Sequence, residues 1–176
     1  MTTDNLKPIH EKLFALYSVT LEKLTEYFKG GSFENYAIKP NEFQVFGAFW
    51  VTACCLRINA PDAHGAIENF NKSIVVSIID TILDKHPEDI EEERQKALNE
   101  TITNVFVERF TVYHQSFQAD TEKLSEDGLL RFPRLTHVFL SHVFDKPPAE
   151  DISNHQLLDA TLNELLQKTE VFFHKL

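Results

Sequence analysis

The chain has 176 residues, 43% of them hydrophobic, and its fifteen Phe against five Gly and seven Pro describe a filled aromatic core, which excludes a disordered or low-complexity chain. That length suits one compact domain over 1–176. A formal charge of -10 argues against broad contact with nucleic acid or an anionic membrane surface, since both need clustered Lys and Arg.

The N-terminal MTTDNLKPIHEKL has no basic segment followed by an apolar run, so it does not read as a secretory signal, and a cytoplasmic location is expected. From Leu6 to Phe28 the positions Leu6, Ile9, Leu13, Leu16, Tyr17, Leu24, Tyr27 and Phe28 recur at three and four residue spacing, the pattern of an amphipathic helix. Gly30-Gly31 closes it and residues 32–39 form a loop.

The stretch FQVFGAFWVTACCLRI, Phe43 to Ile58, has only Gln44, Thr52 and Arg57 as strongly polar residues. At about 100° per residue its apolar side chains point in every direction. It falls short of the roughly 20 residues that cross a bilayer, so it reads as a helix over 41–58 sheathed by other helices, with no transmembrane segment. Pro40 and Asn41 open it, and Asn59-Ala60-Pro61-Asp62 closes it. Its adjacent Cys54 and Cys55 diverge by about 100°, so both are expected as free thiols.

A third helix, about 62–85, turns Val75, Ile78, Ile79, Ile82 and Leu83 inward, with His64, Glu68 and Asn71 within about 40° of Val75. After His86-Pro87, the acidic run Glu88 to Glu93 starts a long helix to about Gln118, where carboxylates suit the positive helix end. Phe106, Phe110, Tyr113 and Phe117 form its aromatic stripe, with Arg109 as the charged exception. Ser125-Glu126-Asp127-Gly128 is a linker. A short helix from Phe132-Pro133 to about Phe144 follows, with His142 on its flank, stopped by Pro147-Pro148. Ser153 and Gln156 have capping-box spacing before a last helix with Leu158, Leu162, Leu165, Leu166, Phe172 and Phe173 inside. The expectation is an all-α bundle of about six helices around the apolar one.

No Glu-x-x-His, HExxH, C-x-x-C, glycine-rich phosphate loop or G-x-S-x-G occurs, so no cofactor or metal is expected and a catalytic reading has no anchor. Asp80 and Asp84 read as a solvated face. One constellation stands out. If helices two, three and four are antiparallel neighbours with turns near Ala60 and Pro87, then Arg57, His64, Glu68, Asn71 and Arg109 converge at one height, Tyr113 lies one turn away, and His10 is near the same level.

That cluster reads first as a buried ion network in which Glu68 neutralises Arg57 or Arg109. Read functionally, two guanidinium groups beside a His and an aromatic wall suit a small anionic ligand with an apolar body, in a pocket lined by Trp50, Phe106, Phe110 and Tyr113 with Arg109 at its floor. A hydrolase or transferase, metal-dependent or not, would use His64 as proton carrier oriented by Glu68, but no nucleophile completes it. The reading that requires least is a non-catalytic interaction or regulatory protein with a protein partner or a second copy of itself, marked by an exposed apolar patch.

Overall fold

A stretch that is apolar on every side is satisfied only by neighbours on every side, and the segment around Trp50 has them. The computed structural model describes residues 7–29, 33, 37–60, 63–84, 92–122, 130–144 and 152–174, without the side chains of 7, 8, 63, 64, 152–155 and 174. Its helices are α1 (Lys7–Lys29), α2 (Pro40–Arg57), α3 (Ala63–Asp84), α4 (Glu92–Thr121), α5 (Pro133–Val143) and α6 (Ile152–His174). Among the described residues there is no strand, only an isolated bridge between Ile38 and Phe144. No helix among them is long and apolar enough to cross a membrane.

Every residue of α2 from Val45 to Cys55 is buried. The other five helices all touch it, and they close a ring around it in the order α1, α3, α4, α5, α6 and back to α1. The molecule is therefore a wheel with α2 as its hub. Lys39 enters in extended conformation with Pro40 at the first helical position, where a missing N–H costs nothing. Asn59, at φ 47°, ends the helix, and Ala60 N donates to Cys55 O at 2.9 Å. Asparagine tolerates that left-handed backbone better than most residues.

Contacts along the hub set the direction of each spoke. Phe28 meets Phe43 while Leu21 lies against Gly47, so α1 runs antiparallel to α2. Phe46 stacks on Phe139 at 3.7 Å between centroids and Trp50 meets Phe132 edge-on, so α5 is antiparallel too. Glu42 meets Arg109, Phe46 meets Tyr113 and Trp50 meets Phe117, a constant offset that makes α4 parallel to the hub. Such edge-to-face and stacked pairs add about 0.5–1.5 kcal/mol each beyond their burial.

The bounds of α1, α2, α3 and α5 agree with the sequence expectation to within a residue or two. Gly30-Gly31, Pro61-Asp62, His86-Pro87, the acidic run from Glu88 to Glu91, Ser125 to Gly128 and Pro147-Pro148 lie outside the described residues. α6 begins at Ile152, and the Ser153 side chain expected to cap it lies outside the described residues. Cys54 and Cys55 are free and buried, and Asp80 and Asp84 are exposed, as expected.

Candidate functional site

Of the five residues expected to converge, the four whose side chains are described do not form one group. Arg57 and Glu68 are exposed, and Glu68 pairs with Lys72 one turn on in its own helix at 2.6 Å. Asn71 does face the hub, where its Nδ2 donates to Thr52 Oγ1 at 3.2 Å. His64 stands in the first turn of α3, and its side chain lies outside the described residues. Arg109 and Tyr113 sit together at the opposite end of α2 from Arg57. His10 meets the ring of Phe14 edge-on at 4.9 Å.

Two physical reasons separate the group. The buried face of α3 is centred on Phe70 and Ile74, not on Val75, which is only half-buried. At about 100° per residue, Glu68 then lies well round on the solvent side. The second reason is height. Arg109 pairs with Glu42, and Glu42 is separated from Arg57 by almost the whole of α2, about 22 Å at 1.5 Å per residue. Counting heights from a turn near Pro87 takes no account of how far α4 extends beyond the hub. The first turns of α4, Glu92 to Glu100, are exposed apart from half-buried Leu98, and they run past the body before the helix meets the hub.

What the structure does assemble is a polar node where the N-terminus of α2, the middle of α4 and the C-terminus of α5 meet. Arg109 Nε donates to both carboxylate oxygens of Glu42 at 3.0 and 3.1 Å, and its Nη1 donates to Glu108 at 3.1 Å. The two main partners are mostly shielded, with 21% and 14% of their side chains exposed. Pairing offsets the cost of that burial. One turn on, the Tyr113 hydroxyl lies 3.3 Å from His142 Nδ1. Burial, reinforced by Glu42, raises the phenol far above its usual range, so it stays protonated and can donate to the imidazole. Burial first and Arg109 second hold His142 below its ordinary value, so the ring is neutral at pH 7.

The expected aromatic wall is core. Trp50 and Tyr113 are fully buried and Phe106 nearly so. Half-buried Phe110 instead lines a shallow groove of about 480 Å³ between α2 and α4, with Phe49, Thr52, Leu56 and His114. Two further grooves open at the rim, one of about 480 Å³ between α1 and α6 and one of about 510 Å³ beside the C-terminus of α1. Burial pushes the Cys55 thiol up to about 12 and the Cys54 thiol well above its ordinary value, so neither is a ready thiolate. Among the described residues, no three of His, Cys, Asp and Glu group so as to hold a metal ion.

Two buried carboxylates went unnoticed in the sequence. Asp120 accepts from the backbone N–H of Arg134 at 3.0 Å and of Leu135 at 2.9 Å, and Asp159 accepts from Phe132 N at 3.0 Å. They satisfy the orphan donors that open α5, from α4 on one side and α6 on the other. The signal was present: Asp120 continues the inward stripe Phe106, Phe110, Tyr113 and Phe117 by one step of three. Glu42 was passed over because its partner could be found only once the offset of α4 was known.

Comparison of the chain with protein families, with curated proteins and with solved structures returns no match.

Proposed function

We propose that the protein is a non-catalytic, all-helical interaction protein that works as a two-fold homodimer, with the seam between α1 and α6 as its docking face. The observation that carries this is the groove along that seam. Its floor is Leu16 and Val19, and on its wall Val171 and Phe172 keep 50% and 41% of their surface in solvent. Adjacent large apolar side chains left in solvent beside an apolar groove offer surface that a partner can bury.

The outer stripe of α6 supports a second copy as the occupant. Leu157, Thr161, Glu164, Lys168 and Val171 recur at alternating four and three residue spacing, the spacing of a helix-pairing seam, and Leu157 is 60% exposed. Laid antiparallel about a two-fold axis midway between Glu164 and Lys168, the stripe sets Glu164 level with the partner subunit's Lys168, and Thr161 level with the partner subunit's Val171. Within one chain Lys168 already reaches Glu164 at 2.8 Å, so both groups are poised in the seam. An isologous interface requires this kind of self-complementarity.

Sedimentation across a concentration series tests the reading. The wild type is expected to reach twice the chain mass. Val171→Glu should weaken association at least tenfold, about 1.4 kcal/mol, with an unchanged helical circular dichroism spectrum. Glu164→Lys should also weaken it, and the charge swap Glu164→Lys with Lys168→Glu should restore it. A chain that stays monomeric, or a dimer indifferent to Val171→Glu, overturns the proposal.

A further inference from the structure

The groove beside the end of α1 is a different object from the α1/α6 seam. It measures about 510 Å³ and is lined by Thr25, Phe28, Lys29, Phe33, Ile38 and Phe43. That volume falls within the roughly 300–1,000 Å³ of small-molecule sites, and so does the ratio of many apolar walls to few polar groups.

Its floor is already built. Phe28 contacts Phe33 at 5.3 Å and Phe43 at 5.9 Å between centroids, and Phe33 stacks on Phe144 at 5.4 Å. The backbone holds these rings in place, because Lys39 N donates to Val143 O at 2.8 Å beside the Ile38 bridge to Phe144. Rings locked by one another cannot swing in to fill the space, so the space remains for a guest. Ile38, 37% exposed, stands at its mouth.

The polar groups define the guest. The Thr25 hydroxyl spends its proton on Leu21 O at 2.6 Å and offers a ligand only lone pairs. Lys29 is exposed and has no ion-pair partner among the described residues, although the chain has 27 Asp and Glu against 17 Lys and Arg. A neutral guest would leave that ammonium unused, and a cationic one would be repelled by it. A guest with a second charge would press that charge against apolar walls.

We infer that this groove binds a monoanionic amphiphile, a fatty-acid-like carboxylate whose chain lies on the Phe28, Phe33 and Phe43 rings and whose head meets Lys29. Calorimetric titration of the intact protein with dodecanoate, below its micellar concentration, tests it. One saturable site per chain is expected, at least tenfold tighter for dodecanoate than for 1-dodecanol. Lys29→Glu should cost tenfold or more and Ile38→Trp, which fills the mouth, should abolish binding, both with the helical spectrum retained. Should Lys29→Glu fail to fold, Lys29→Gln and the dodecanoate to dodecanol ratio in the wild type carry the same test. Absence of saturation, equal affinity for 1-dodecanol or dodecyltrimethylammonium, or binding unaffected by Ile38→Trp overturns the inference. None of these outcomes depends on whether the chain dimerises.

Discussion

His142 is the residue whose charge state the fold decides. Its ring sits against the Tyr113 hydroxyl, with Arg109 and Lys39 opposing a positive charge and Glu42 and Glu108 favouring one. Burial and Arg109 prevail, and the folded value lies below the ordinary 6.5. The unfolded chain therefore binds a proton first as pH falls. The contribution of this group to stability is complete above 6.5 and is lost progressively as pH drops from there through the folded value. His142→Asn keeps an acceptor for Tyr113 and removes the titration. Urea midpoints measured between pH 7.5 and pH 5.5 should fall less steeply for this variant than for the wild type, and parallel slopes would refute the assignment.

At the scale of elements, α1 and α2 approach each other closely at Gly47. A Cβ on Gly47 would stand 2.7 Å from Leu21 Cδ2 and 3.1 Å from Tyr17 Cε2, so the two helices touch through the missing side chain. Gly47→Val should cost about 1–3 kcal/mol in urea unfolding, the usual penalty for overpacking. An unchanged midpoint would mean the helices are not held that close. The elements themselves were legible in the sequence, because a stripe repeating every three or four residues needs no tertiary knowledge. The apolar hub was legible for the opposite reason, that it has no stripe. Phase and height were not. Glu68 was assigned inward by reference to Val75, a residue at the edge of the buried face, and Arg109 was set level with Arg57 by a count that left out the overhang of α4. Arg109 and Tyr113 were singled out as polar groups on an inner face, and both are there, with partners that only the offset between α2 and α4 could name.

For the whole molecule, the ring has no member that can leave alone, since each outer helix packs on the hub and on two neighbours. Trp50, the single Trp of the chain, is fully buried in that hub. Its fluorescence reports the centre while far-ultraviolet circular dichroism reports all the helices. The two probes are expected to give one coincident urea transition, the signature of all-or-none unfolding. Phe46→Ala, at the stack with Phe139, should shift both together by about 3–5 kcal/mol. Separated midpoints would show that part of the ring melts independently.

The order of synthesis gives the hub a further consequence. α6, the cover of α2 most distant from it in sequence, is made last among the described helices, so one flank of the oily hub must wait uncovered while α3, α4 and α5 are synthesised. A chain that lacks α6 is thus more exposed to self-association and to chaperones, and fragments cut before α6 should enter inclusion bodies to a greater extent than the chain that contains it.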